Sequence, residues 1–522
     1  MHAYPFWIIV SSCMAVVDFL AVGVAAGYSV CLLLLTVYGL HWGWWACTRR
    51  AYTAPSSSPA PPDEWPAVTV QLPLYNEPDL APRLIDACAR FDYPLDRLHI
   101  QVLDDSTDRT SRQVAERVAH WKQRGVSISH IQRSNRAGYK AGALAYGLAR
   151  TNDDFIAVFD ADFLPPASFL KSLLPHFTNA SVGLVQARWA HCNAMDNWCT
   201  QGQAAGLNAH FALEQAGRYA SNAFMHFNGT AGIWRRTCID EAGGWEADTL
   251  TEDLDLSYRA QLAGWTFRYV EDVEVPAELP RTISAWRTQQ FRWAKGAIET
   301  ARKLLQPLWN ASIPSTTKLA GTMHLLAHLA FPAIVGAALL HAPLLLLAEA
   351  STVVGPSFLG TLGVGVLGFI AFGSAVWYAQ RTLGTSISRT LRTLPAFFFG
   401  SMGLAVNNTH AVFVALKGVS TPFQRTPKAT VERTEQRARS VDAIAWSEFA
   451  LGSYCVIGLG ALVHQGLWIA VPFQAALALS FLLMAGTDFW QSYGTTTPAN
   501  VSSTQSASPC EGTTKPISSL SK

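Results

Sequence analysis

Four short stretches of this 522-residue chain carry side chains whose types and spacing could do chemistry. Asp160-Ala-Asp162 closes the apolar run FIAVF, so the chain turns where two carboxylates can approach one hard cation through oxygen. Asp104-Asp105, followed by Ser106-Thr107-Asp108, closes the run HIQVL in the same way. Thr251-Glu252-Asp253 precedes LDLSYRAQLAG and offers a carboxylate, Asp253, as a base. Gln289-Gln290-Phe291-Arg292-Trp293 offers a guanidinium for phosphate and an indole face on which a sugar ring can rest. Transfer of a glycosyl group from a nucleoside diphosphate needs these functions: charge neutralisation at the leaving diphosphate and a base for the incoming hydroxyl.

Each stretch also has a plainer reading. Asp is a common turn residue, so D-x-D alone fits a solvated strand-to-loop turn. Asp104-Asp105 fits an Asx turn or a helix N-cap, and Thr251 fits an N-cap with acids in the first helical turn. Gln289 to Trp293 fits an amphipathic helix at a membrane boundary, a reading compatible with the chemical one.

The elements that must position these residues alternate. β-branched runs (VTVQLPLYNE, HIQVLDDS, VSISHIQRS, FIAVFDAD) end in polar or acidic residues, with helical stretches such as Asp79 to Phe91 and Ser111 to Arg124 between them. That rhythm predicts crossover units and a parallel sheet, in which ligands sit at the carboxyl ends of the strands. The acidic pairs fall there.

Outside the centre the chain is apolar; overall 50% of it is hydrophobic and only 15% charged. Residues 1–48 form an N-terminal transmembrane segment of one or two spans, with a turn available near Ala26 to Ser29. Arg49-Arg50 then place the next domain in the cytoplasm by the positive-inside tendency. A Pro/Ser linker at 49–66 leads to the soluble domain at 67–280, and 281–318 reads as amphipathic interfacial helices. The C-terminal transmembrane region, 319–490, offers spans at about 319–345, 356–380, 443–463 and 466–489; Thr393 to Leu416, flanked by basic residues on both sides, reads as interfacial or re-entrant. The tail 491–522 has a disordered composition.

A net charge of +2 with no basic stripe disfavours nucleic acid. Nine cysteines without C-x-x-C or zinc spacing, among them Cys88, Cys192, Cys199 and Cys238, read as reduced, packed thiols. His324 and His328, at i, i+4 in an apolar stretch, read as packing or pore-lining residues more than as a metal site, and Asp18 likewise.

In this order and spacing the motifs resemble glycosyltransferase family 2, in its processive branch of cellulose synthases and cellulose synthase-like proteins. LPLYNE, QVLDDSTD, NRAGYKAGAL, FDADF, GLVQARW, FNGTAG, EAGGW, TEDLDL and QQFRW carry the likeness, which runs from about Val68 to Lys303. Within the family they are most similar to plant-type mannan and xyloglucan-backbone glucan synthases. The resemblance implies a cytoplasmic α/β GT-A domain, a Rossmann-like mixed sheet, joined to an α-helical transmembrane bundle. It implies that Pro73, Tyr75 and Glu77 hold base and ribose, with Asp104 or Asp105 at the nucleotide and Lys140 near the diphosphate. Asp160 and Asp162 would bind donor and Mg²⁺ or Mn²⁺, and Asp253 would be the general base. Gln289, Arg292 and Trp293 would secure the diphosphate and acceptor sugar, with Asn228 and Gly229 bordering the acceptor pocket. Phe423-Gln-Arg-Thr426-Pro-Lys428 resembles the cytoplasmic gating loop of membrane cellulose synthases, with Arg425 and Pro427 departing from the commonest form; a basic loop facing lipid is the alternative.

The expected enzyme is an inverting hexosyltransferase using UDP-glucose or GDP-mannose to extend a β-linked polysaccharide. The alternative is a single-transfer glycolipid synthase acting on a diacylglycerol- or ceramide-type acceptor. Expected partners are the nucleotide-sugar donor, a glycan or lipid acceptor, membrane lipid and accessory export subunits. The expected location is a bacterial inner or plasma membrane, or the Golgi in a eukaryote.

Overall fold

The structure is a computed structural model, and it describes residues 4–52, 59–421, 423, 425–426 and 442–493. Part of the 49–66 linker, part of the 423–428 stretch and most of the C-terminal tail lie outside the described residues.

Seven strands form one sheet: β1 (Val68–Leu74), β2 (Leu98–Asp104), β3 (Ser127–Gln132), β4 (Phe155–Val158), β5 (Val182–His191), β6 (Gly232–Arg235) and β7 (Thr266–Ala277). Their spatial order is β3-β2-β1-β4-β6-β5-β7. The first four pair in parallel, while β6 runs antiparallel to both β4 and β5, so the sheet is mixed. The register aligns Leu74 with Asp104 and Asp104 with Gln132, which brings the ends of three strands to one edge.

Burial on both faces explains why these strands read as nearly continuous apolar runs. In β4 the period of two is visible in the packing: Phe155 and Ala157 join the core on one face, Ile156 and Val158 the core on the other. The predicted crossover helices are present as Ala81–Ala89 and Thr110–Lys122.

Among the described residues, four helices are long and apolar enough to cross a membrane: Met14–Ala51, Ala327–Ala350, Ala443–His464 and Trp468–Ser492. Large apolar residues on them face outward, Phe19 at 79% exposure and Ile457 at 74%, which suits lipid contact rather than water. The N-terminal stretch is one unbroken helix, Tyr4–Ala51, with no turn at Ala26 to Ser29. Residues 356–380, expected as one span, are instead divided into Pro356–Thr361 and Val364–Thr382. Gly360 and Gly363 flank the break, where helix propensity is low. Residues 393–416 fall in two helices, Ile387–Gly403 and Ala405–Leu416, neither among the four crossing candidates.

The helix Ile283–Asn310 joins the two halves of the molecule. One side packs Ala297, Ala301 and Leu304 against Leu254 and Tyr258 of the sheet domain; elsewhere Ile298 meets Val412 and Ala415. Gly296 makes the close approach to the sheet domain achievable, because a Cβ there would lie 2.9 Å from the backbone nitrogen of Thr251. Arg287, at its buried start, donates to Glu448 and, at 2.6 Å, to Asp488 on two crossing helices.

Cys88 and Cys238 are buried free thiols, and the buried Cys199 Sγ accepts from Gln203 Nε2 at 3.2 Å. Asp18 accepts from the Ser351 hydroxyl at 2.6 Å and from the backbone and side chain of Thr352, so it caps a turn. His324 and His328 do not share a helical face, since the helix Ser315–Leu325 ends between them; His324 meets the Tyr258 hydroxyl at 2.9 Å.

Candidate active site

The carboxyl ends of β1 and β4, the loop before β6 and the helix Ile283–Asn310 enclose a cleft. Pro73, Tyr75, Glu77 and Asp105 line one end, Lys140, Asp160 and Asp162 the middle, and Asn228, Gly229, Asp253, Gln289, Arg292 and Trp293 the other walls. Asp104 is the exception. Its carboxylate takes the backbone N–H of Ser106 at 2.9 Å and lies 2.8 Å from His130 Nε2, fully buried behind the cleft. For Asp104 the plain Asx-turn reading holds, because successive residues at a strand end point to opposite faces.

The loops around the cleft are wound unusually. Among the described residues four non-glycine residues have positive φ, and three of them, Asn76, Tyr139 and Ala231, belong to the LPLYNE, NRAGYK and FNGTAG segments. Strain of this kind gathers where the backbone must present groups to a ligand. Gly229 is required twice over: its φ is +78°, and a Cβ there would lie 2.8 Å from Asp253 Oδ2 and 3.3 Å from Lys140 Nζ.

Lys140 is the electrostatic centre. Its ammonium lies 2.6 Å from Asp160 Oδ1 and 3.6 Å from Glu252 Oε1, and it donates to the Gly229 carbonyl at 2.8 Å. Burial disfavours its charge, but Asp160, Glu252 and Asp253 outweigh that and hold it protonated. Burial, with the charges of Asp162 and Asp253, pushes the Asp160 carboxyl up against the opposing pull of Lys140.

Glu252 and Asp253 open the helix Glu252–Leu262. The expected Thr251 cap is absent: that hydroxyl instead meets Thr300 at 3.3 Å. Burial pushes Glu252 up to about 7, Lys140 opposing and Asp253 reinforcing. For Asp253 burial again works against the charge, but His226 and Lys140 prevail and hold it below the usual carboxylate range. Two adjacent carboxyls driven apart in this way are suited to different tasks, the ionised one to accept a proton.

Several cleft residues carry chemistry that the motifs alone did not single out. Arg136 stacks 3.4 Å from the centre of the Tyr75 ring. Phe423 lies between Arg292, at 4.6 Å, and the Tyr139 ring, at 5.6 Å. Arg425 reaches Glu77 Oε2 at 2.7 Å and the Asn76 carbonyl at 2.6 Å, and Thr426 accepts from Arg292 at 3.0 Å. The described members of the 423–428 stretch therefore sit in the cleft; Gln424, Pro427 and Lys428 are outside the described residues. Trp189 and His191 line the cleft, and Trp189 Nε1 and both ring nitrogens of His191 are buried without protein partners. Arg136 and Tyr139 were within reach of sequence reading, since they lie inside NRAGYKAGAL; His191 and His226 had no such signal.

Among the described residues, Glu246, Asp248 and Asp255 also stand within metal-ligand distance of one another. The Lys303 ammonium already fills that group, 2.8 Å from Asp248 and 2.9 Å from Asp255.

Residues 66–296 match the family described as glycosyltransferase like family 2. The chain is 43% identical over 261 residues to the probable glucomannan 4-beta-mannosyltransferase 3 of Arabidopsis thaliana, covering 49% of this chain and 47% of that protein. It is 40% identical over 301 residues to the probable glucomannan 4-beta-mannosyltransferase 2 of Oryza sativa subsp. japonica, covering 56% of this chain and 51% of that one. The chain thus spans about half the length of the curated relatives it matches. Among solved structures, a mannosyltransferase of Pyrobaculum calidifontis in complex with GDP-Man and Mn²⁺ shares the fold, with a TM-score of 0.53 and 19% identity over 77% of this chain and all of the other. With a mixed GT-A sheet and these motifs in place, residues 66–296 are similar to glycosyltransferase domains of the family 2 type.

Proposed function

We propose that this protein transfers a hexose from a nucleotide sugar to a growing β-linked polysaccharide, with inversion at the anomeric carbon. One observation carries the reading: Asp253, ionised and pressed against Gly229, shares a cleft with the Asp160/Asp162 pair, Lys140 and Arg292. The acceptor hydroxyl gives its proton to Asp253 as its oxygen bonds to the anomeric carbon, and the bond from that carbon to the diphosphate breaks. The nucleoside diphosphate leaves, with Arg292 and Lys140 compensating its charge.

Asp160 and Asp162 fit a divalent cation. Both are oxygen donors at one strand end, and the Lys140 ammonium 2.6 Å from Asp160 stands where positive charge is wanted. Mg²⁺ or Mn²⁺ held by these two would neutralise the leaving diphosphate. Tyr75, Glu77 and Asp105 suit the nucleoside end of the cleft, Asn228, Gly229 and Trp293 the acceptor end.

The relatives' names favour mannose, hence GDP-mannose over UDP-glucose. A sugar acceptor is favoured over a diacylglycerol- or ceramide-type lipid by Trp293 in the cleft wall, since an indole face suits a pyranose ring. The catalytic domain would face the cytoplasm, with the product leaving between the crossing helices, alone or with accessory export subunits. Membranes containing the protein are incubated with each labelled donor and Mg²⁺ or Mn²⁺, and the product is sized. A polymer from GDP-mannose, lost on chelation with EDTA, is expected; a single-sugar lipid product would overturn the polysaccharide reading.

A further inference from the structure

Behind Asp253 a line of half-buried polar side chains, ending at the fully buried Arg218, runs away from the cleft. Asp253 Oδ1 is occupied, accepting the backbone N–H of Leu254 at 2.8 Å. Oδ2 is the oxygen left to act, and it faces Gly229 on one side and His226 on the other, with His226 Nε2 at 3.7 Å. That nitrogen is buried and has no hydrogen-bond partner.

The rest of the line fixes how the His226 ring is protonated. Asn228 Oδ1 accepts from Gln215 Nε2 at 3.2 Å, which turns the Asn228 amide nitrogen toward two histidines. One of its N–H groups meets His210 Nε2 at 2.9 Å, so His210 carries its proton on Nδ1, where Glu214 Oε2 accepts it at 2.9 Å. The other faces His226 Nδ1 at 3.5 Å, which leaves the His226 proton on Nε2, the nitrogen opposite Asp253. Glu214 is anchored in turn by the fully buried Arg218 at 2.8 Å. His210 to Gln215 are wound as a π-helical turn, a local form that persists mostly where side chains must be held in a special register. From the helix Ser315–Leu325, His324 closes the other side of the His226 ring at 5.7 Å between centroids.

We propose that His226 is a positioning residue that acts through Asp253: locked as the Nε2–H form by Asn228, His210 and Glu214, it presents an N–H to Oδ2. That contact keeps the carboxylate ionised and aimed past Gly229 while the acceptor hydroxyl approaches. It does not touch the sugar. Arg218, Glu214 and His210 form the fixed end of the line, Asp253 the working end. The proposal rests on Asp253 being the base.

The test uses the full-length protein in membranes with whichever labelled donor the wild type transfers. H226F removes the N–H while keeping a flat ring; kcat should fall about tenfold or more with the donor KM within about twofold. H226Q, which keeps an N–H at similar reach, should restore kcat to within about threefold of wild type. Unchanged kcat in H226F, or equal losses in H226F and H226Q, would overturn the proposal, the first outcome showing that a flat ring suffices and the second that an N–H at this reach does not rescue. Should H226F fail to fold, H226Q and H226N decide: the shorter amide should lose kcat where the longer keeps it, and equal rates would refute the proposal. D253N, assayed alongside, separates the two layers. Full activity in D253N would remove the base assignment, and the proposal with it, whatever happens at position 226.

Discussion

Two buried clusters of opposite charge lie at the two ends of the same stretch of helix, and they are built differently. At the membrane joint, Arg287 gives Nε and both terminal nitrogens to Glu448 and Asp488, so each nitrogen of the fork has a carboxylate partner. In the cleft, one turn further along, four carboxylates (Asp160, Asp162, Glu252 and Asp253) share Lys140 and Arg292, and Arg292 Nε is left without a partner. The first cluster is satisfied by the protein alone. The second is left wanting positive charge and hydrogen-bond partners, which is how a site for a cation and a diphosphate should look before they bind. Burial holds the Arg292 guanidinium below its ordinary range even with those acids around it, so it gains from an anion.

The sharpest way to break this contrast is D253N. If the cleft cluster is catalytic, transfer falls by roughly 10²–10⁴-fold. Donor binding should survive, measured as an unchanged donor KM and unchanged thermal unfolding. The reverse result belongs to the joint: R287M leaves two buried carboxylates unpaired and should cost about 3–5 kcal/mol of stability. Thermal unfolding in detergent reads that loss, and the triple change R287M/E448Q/D488N should recover most of it, since removing all the charges leaves nothing unpaired.

A smaller effect is expected from G229A. A methyl group 2.8 Å from Asp253 Oδ2, on a backbone with φ of +78°, must move the base or the loop. The strain is about 1–2 kcal/mol, and kcat should fall more than stability does; equal donor KM with wild type checks that the cleft has kept its shape. The mildest difference is in pH. Glu252 is raised to about 7 from the ordinary carboxyl range, so between those values the folded state holds a proton that the unfolded state has lost. The contribution of this group to stability is therefore present at low pH and lost as pH rises through about 7. Melting temperatures of wild type and E252Q, compared from pH 5 to 8, should diverge in that direction, the variant showing the flatter curve.

Much of this arrangement was legible in the chain. The strand runs and the acidic residues at their ends pointed to a sheet with a cleft at its strand ends, because period-two burial and carboxyl-end sites are properties of local sequence. The reading failed where two neighbours were chemically equivalent on paper. Asp104 and Asp105 are both acidic at a strand end, yet only Asp105 faces the cleft, where Arg133 pairs with it. At 356–380 composition is continuous while the backbone is divided into Pro356–Thr361 and Val364–Thr382.

By itself, then, the sequence determined which elements form, which carboxylates are available and that apolar helices flank a polar domain. The tertiary structure alone decided their relations. Gly296 lets the Gln289 to Trp293 helix close on Thr251, and Arg425, more than three hundred residues from Glu77, reaches across the cleft to pair with it. Burial, which no short window of sequence reports, sets Glu252 and Asp253 on opposite sides of the ordinary carboxyl range. Local patterns fix what a segment can be; charges and ring nitrogens take their roles from neighbours that only the folded chain brings within a few ångströms.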